Sequence, residues 1–123
     1  MIVRKLVVKN EWLFRRAYCT PIKKYMNPDG TATSRVFKLR EKDNGELSVD
    51  VASLTTPEIS VGDVNKFMLY KIENESVINL ELQTYHSEEL DGSNDAHAVI
   101  IGMALEDEIK PGLLARKSSR VYL

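Results

Sequence analysis

Cys19 is the only cysteine of the chain, and His97 opens an apolar run, HAVIIG. A thiol and an imidazole become a nucleophilic pair only when they lie close in space and a third group orients the ring. His97 can also do something plainer. At the mouth of a buried strand its imidazole would hydrogen-bond to a neighbouring carbonyl or carboxylate, and the residue pattern favours that structural role. A free cysteine is most often a small core hydrophobe. His86, the other histidine, lies eleven residues before His97, across a loop containing Glu88, Glu89, Asp91 and Asp95. Those acids lack the Asp-x-Asp-x-Asp-Gly register of a calcium loop. Neither a metal nor a cofactor is expected.

Three further groups could carry chemistry. Ser48 and Asp50 are one pleat apart in ELSVDV, and Ser34 precedes them in TSRVF. Arg15 and Arg16 sit in an otherwise apolar stretch, EWLFRRAY. One guanidinium there must reach water, a carboxylate or a ligand. The candidate site residues are therefore Arg15, Ser34, Ser48 and His97. No phosphate loop, GxGxxG, CxxC, HExxH or GxSxG is present. The aromatics form no linear stripe with Lys and Arg of the kind that stacks bases.

These residues have to be positioned by elements that period and punctuation suggest. IVRKLVVK (2–9) reads as a strand, EWLFRRAY (11–18) as a strand first and a helix second, and NPDG (27–30) as a turn. TSRVFKLRE (33–41), the turn DNG (43–45) and ELSVDV (46–51) predict a hairpin, with Leu47, Val49 and Val51 inward. Thr56-Pro57-Glu58 starts a helix that Gly62 limits. KFMLYKI (66–72) and VINLELQTY (77–85) suggest a second hairpin with Ile78, Leu80 and Leu82 on one face, although VINLEL also fits a short helix. After the loop at 86–95, HAVIIGMAL (97–105) is apolar on both faces and predicts a central strand. PGLLARKSSR (111–120) predicts a final helix docked by Leu113, Leu114 and Val121. The sum is an α+β fold: a mainly antiparallel sheet of five or six strands with two or three short helices, in a single domain spanning 1–123.

Composition limits the function. Apolar residues make up 43% and charged residues 28%, with a formal net charge of −1. A nucleic-acid partner is not expected, because phosphate binding usually goes with a strongly basic domain. The charges are unevenly spread: residues 1–42 are rich in Lys and Arg, and most acids lie in 43–108. That pattern is either solvated surface or a dipolar surface that steers a charged partner. No apolar run approaches the ~20 residues of a membrane span, and no signal-like apolar region opens the chain. One cysteine forms no internal disulfide, which fits a reducing compartment. The expectation is a cytoplasmic protein.

Two resemblances follow from these residues. The string DAHAVIIG resembles the histidine strand of papain-like cysteine proteases over about eight residues, while AYCTP lacks that family's surroundings for its cysteine. Across most of the chain, LFRRAY, TSRVF, GELSVDV and DAHAVIIG resemble a family of small uncharacterised bacterial proteins of about this length. The matching residues are Arg15 or Arg16, Ser34, Phe37, Leu47, Ser48, Val49, His97, Ala98 and Gly102. That resemblance implies one domain and a bacterial cytoplasmic source, with no activity to carry over. The order Arg15, Ser34, Ser48 and Glu58 is also similar to that of small NAD-cleaving toxin domains, without the glycine-rich signature of the RES type. The leading expectation is a binding or interaction module without its own catalysis, with another protein as partner. The alternative is a small nucleotide- or NAD-acting enzyme or toxin-like domain with Arg15, Ser34, Ser48 and His97 lining one cleft.

Overall fold

A computed structural model describes residues 5–87 and 95–123. Its strands are β1 (Lys5–Leu6), β2 (Trp12–Tyr18), β3 (Leu47–Val51), β4 (Phe67–Glu73), β5 (Gln83–His86), β6 (His97–Ile101) and β7 (Ser119–Val121). They form one sheet in the order β1-β5-β6-β3-β2-β4-β7, and every neighbouring pair is antiparallel. The helices are α1 (Ile22–Tyr25), α2 (Pro57–Val61), α3 (Asn74–Ile78) and α4 (Ile109–Lys117). Three 3₁₀ turns join them, at Ser34–Phe37, Glu41–Asp43 and Ala52–Leu54. The α+β class matches the sequence. The described residues hold seven strands rather than five or six, and four short α-helices rather than two or three.

Local chemistry accounts for the elements that were foreseen. In β3 the alternation of Leu47, Val49 and Val51 with Ser48 and Asp50 puts three aliphatic side chains into the core and two polar ones on the other face. In β6 three consecutive residues, Ala98, Val99 and Ile100, are buried, because the strand lies between β5 and β3 and is covered on both faces. At α2 the Thr56 hydroxyl accepts from the Ile59 N–H (3.3 Å), Pro57 takes the first helical position, and Gly62 ends the helix at φ 71°. The main core lies on one face of the sheet, where Phe37, Tyr70, Ile100 and Leu114 are fully buried. A smaller cluster of Phe14, Val61 and Leu69 lies under α2.

The first predicted hairpin does not form. Residues 33–41 make no ladder with β3, whose partners are β2 and β6. The reason lies in Val36, Phe37 and Leu39, all of which are buried. A strand would send Val36 and Phe37 to opposite faces. A 3₁₀ turn lets both pack inward, and the segment lies against α4. The DNG signal is real but closes something else. Asn44 (φ 53°) and Gly45 (φ 77°) turn left-handed in succession and end the Glu41–Asp43 turn ahead of β3.

The second predicted hairpin fails in a different way. β4 forms as expected, but the chain then makes α3, and β5 pairs with β1 and β6 on the far side of the sheet. Residues 77–85 are thus part helix and part strand. Glu81, at φ 62°, makes the break between them. Val77 and Leu82 are buried while Ile78 is exposed, so Ile78, Leu80 and Leu82 do not share a face. The last helix starts at Ile109, two residues earlier than expected. The Asp107 carboxylate accepts from the N–H groups of Ile109 (2.8 Å) and Lys110 (3.1 Å) and serves as the cap. Pro111 falls in the first turn, where no N–H is needed. Leu114 docks in the core and Leu113 does not. Ser119 and Arg120, expected in the helix, form β7 with Val121 instead. The expected loop at 86–95 falls largely outside the described residues, as does the start of the predicted first strand.

Candidate functional site

β2 and β3 are paired only at Leu13↔Val51 and Phe14↔Asp50. Beyond Phe14, β2 continues along β4 alone. The gap where β2 and β3 part leaves backbone carbonyls without a ladder partner, and Arg15 fills it. Its Nε donates to the Val36 carbonyl and its Nη1 to the Ser48 carbonyl, each at 2.8 Å. The guanidinium thereby ties β2 to β3 and to the Ser34–Phe37 turn. Burial, together with repulsion from Arg40, draws the Arg15 guanidinium down to about 10, so it remains charged at neutral pH.

Arg15 lines a cleft of about 350 Å³ roofed by α1 and residues 35–40. Arg16, Lys24, Arg35, Lys38 and Arg40 also line it, with Tyr18, Tyr25, Phe67 and Ser48. Two of these cations have carboxylate partners: Lys38 meets Glu108 at 3.1 Å and Arg40 meets Asp43 at 3.2 Å. Among the described residues, Arg16, Lys24 and Arg35 have none. Arg16 instead lies over the Phe67 ring at 4.5 Å, and Lys24 lies 5.4 Å from the Tyr25 centroid. The rings of Tyr18 and Phe67 are 5.1 Å apart, and those of Tyr18 and Tyr25 are 6.1 Å apart. Sequence reasoning noticed the Lys and Arg density of residues 1–42 but gave it no place. Only the fold gathers β2, α1 and the 35–40 segment around one cavity.

The four sequence candidates divide. Arg15 and Ser48 both line the cleft. His97 is joined to it through Ser48, since its Nε2 lies 3.4 Å from Ser48 Oγ. Its Nδ1 lies 3.3 Å from the Ser87 carbonyl. A carbonyl can only accept, so Nδ1 donates to Ser87, and Nε2 and the Ser48 hydroxyl form the second contact. Ser34 is half-buried at the start of its 3₁₀ turn and does not line the cleft. Asp50 stands opposite His97 in the β3–β6 register and accepts from Ser60 Oγ at 2.7 Å. Glu58 is exposed on α2.

The Cys19–His97 pair is not assembled. The Cys19 sulfur, one residue past the end of β2 and five beyond Phe14, points to the Val64 carbonyl (4.0 Å). His97 lies two strands away, opposite Asp50, which in turn faces Phe14. Strand geometry separates the two by on the order of 20 Å. His86 Nε2 lies against the Asp95 carbonyl. Among the described residues no group of three His, Cys, Asp or Glu side chains is placed to hold a metal ion. No helix there is long and apolar enough to cross a membrane.

Asp43 anchors the rim of the cleft. Burial pushes its carboxyl up. Hydrogen bonds from the Arg40 backbone and side chain, with the charges of Arg40 and Arg15, more than offset this and hold it below the ordinary aspartate value. Such a carboxylate contributes stability above its unfolded value, near about 3.9, and loses it as pH falls through the lower folded value. The stability gap between wild type and Asp43→Asn should therefore be present at neutral pH and shrink in acid. Its size should be no more than about 1 kcal/mol for this partly exposed pair. Urea melts at neutral and strongly acidic pH measure it, and a gap that does not change with pH would contradict this account.

Comparison with known proteins gives no match: no family model, no curated protein and no solved structure matches the chain.

Proposed function

We propose that the protein is a binding module without chemistry of its own, and that its cleft receives an anionic group. One observation carries the reading: six cationic side chains converge on one cavity in a chain of net charge −1. Three of the six have no carboxylate partner among the described residues, and one is a half-buried arginine held by two carbonyls. Like charges gathered in one place repel, and proteins tend to keep such an arrangement where function requires it. An anion in the cleft relieves that repulsion. The wider reading, a cytoplasmic bacterial protein with another protein as partner, belongs to the same proposal. Acidic side chains on a partner's surface are one source of the anion.

Calorimetric titration with inorganic pyrophosphate tests the reading. Binding is expected at low salt and should weaken as salt rises. The double substitution Lys24→Glu/Arg35→Glu should abolish it. Both side chains are free of carboxylates, so the fold should survive the change. Absence of binding to any anion at low salt would overturn the proposal.

A second reading has one observation behind it. The Ser48 hydroxyl and His97 Nε2 lie 3.4 Å apart, the pair of groups an imidazole base and a serine nucleophile require. A nucleotide- or NAD-acting enzyme would use it, and Arg15 would hold the substrate. Turnover of NAD or ATP that His97→Gln abolishes would favour this reading.

A further inference from the structure

The cleft has two chemically different ends, set by β2. At one end lie Arg15 and Arg40, with the backbone and hydroxyl of Ser48. At the other lie Tyr18, Tyr25 and Phe67. Arg15 and Tyr18 are three residues apart on β2, about 10 Å along the strand and on opposite faces, and the cleft reaches both around the edge of β2 that β3 leaves unpaired. Arg15 spends two of its N–H groups on carbonyls, and its Nη2 has no protein acceptor among the described residues. Arginine's planar fork suits phosphoryl oxygens. Tyr18 is 44% exposed although Phe67 and Tyr25 flank its ring. Open aromatic rings beside arginines stack the π-faces of bases. A cleft of about 350 Å³ is of small-molecule size.

Inorganic phosphate would leave the aromatic end empty. An acidic peptide would satisfy the cations without using the ring. One class of ligand uses both ends. We propose that the cleft binds a nucleoside phosphate, with its phosphoryl groups at Arg15 and Arg40 and its base on the ring of Tyr18. This inference rests on the anion-binding reading above and names the ligand within it.

The experiment compares ADP, GDP, CDP and UDP with inorganic pyrophosphate and with oligoglutamate, by calorimetric titration at low salt. At least one nucleotide should bind tenfold or more tighter than pyrophosphate. Tyr18→Ala should bring that nucleotide's affinity down toward that of pyrophosphate measured on the same variant, whereas Tyr18→Phe should keep the advantage. Ring-proton shifts of Tyr18 on adding the nucleotide, and not on adding pyrophosphate, report the same contact in the unaltered protein. If all four nucleotides bind no tighter than pyrophosphate, or if Tyr18→Ala changes nothing, the inference fails and the anion site stands. Oligoglutamate binding tighter than every nucleotide overturns the inference in favour of a protein partner. If neither pyrophosphate nor any nucleotide binds, both readings fall.

Discussion

Asn74→Ala is expected to cost about 3–4 kcal/mol of stability, because Asn74 joins three segments by side-chain bonds that water cannot replace. The residue is fully buried at the start of α3. Its Nδ2 donates to the carbonyls of Val7 (2.9 Å) and Val8 (3.1 Å), and its Oδ1 accepts from Thr84 Oγ1 at 2.6 Å. Val8 is exposed, so its carbonyl can turn to solvent. Val7 and Thr84 are buried, and each is left with an unsatisfied group at roughly 1–3 kcal/mol apiece. A small cavity adds to the loss. Asn74→Asp should cost at least as much, since a carboxylate has no N–H to give to two carbonyls. Thr84→Val removes only one partner and should cost less, and the double variant should lose less than the two singles summed. Urea denaturation measures all four proteins. Hydrogen exchange at the Val7 amide, which bonds to the Thr84 carbonyl at 2.8 Å, should quicken. None of Asn74, Val7, Val8 and Thr84 lines the cleft, so pyrophosphate affinity should not change. A loss below about 1 kcal/mol for Asn74→Ala would remove Asn74 from the structural role assigned here.

Nothing in ENES marks Asn74 as a core residue. Read along the sequence it is one polar residue among four, and it looks like a loop. Its burial depends on contacts with residues 7–8 and 84, which only the folded sheet brings within reach. The same limit explains the two missing hairpins. TSRVFKLRE has enough β-branched and aromatic bulk to pass for a strand, but Val36 and Phe37 are neighbours that both need burial. VINLEL gave two compatible periods because it contains two elements, with the break at Glu81. Strong local signals behaved well: the Thr-Pro-Glu start of α2, the strict alternation of β3, and the doubly apolar β6 with polar residues at its mouth. These signals depend on chemistry within a few residues. The site was legible to the same extent. An arginine in an apolar strand is anomalous on its face, and Arg15 lines the cleft and bridges two carbonyls. Ser48 and His97 were placed near each other by opposing strands. Ser34 was drawn in by the expected hairpin and fell away with it. The cationic cleft went unread because its residues come from three segments separated by turns.

Arg15 is where stability and binding meet, and its replacement should affect both. Arg15→Ala leaves the Val36 and Ser48 carbonyls without their donor. Two bonds from a charged donor are worth about 1.5–3 kcal/mol each. Part of that is returned, because a partly desolvated charge beside Arg40 is removed and water can enter the cleft. The folded guanidinium lies below its unfolded value, so the native state would release its proton first as pH rises. The cost of keeping it charged is therefore present at neutral pH and is relieved only above about 10. The net loss should be about 2 kcal/mol, or roughly 6–10 °C in Tm. Arg15→Lys keeps the charge, but one ammonium cannot fork between carbonyls on two segments. It should recover part of the anion affinity and little of the stability. Arg15→Met keeps the packed stem and should recover neither. Pyrophosphate affinity, measured well below each melting point, should fall tenfold or more in Arg15→Ala and Arg15→Met. A role confined to bracing the strands would lower all three melting points and leave that affinity untouched. Equal affinity in Arg15→Met and wild type would therefore take Arg15 out of the binding site and leave it as a stitch between β2 and β3.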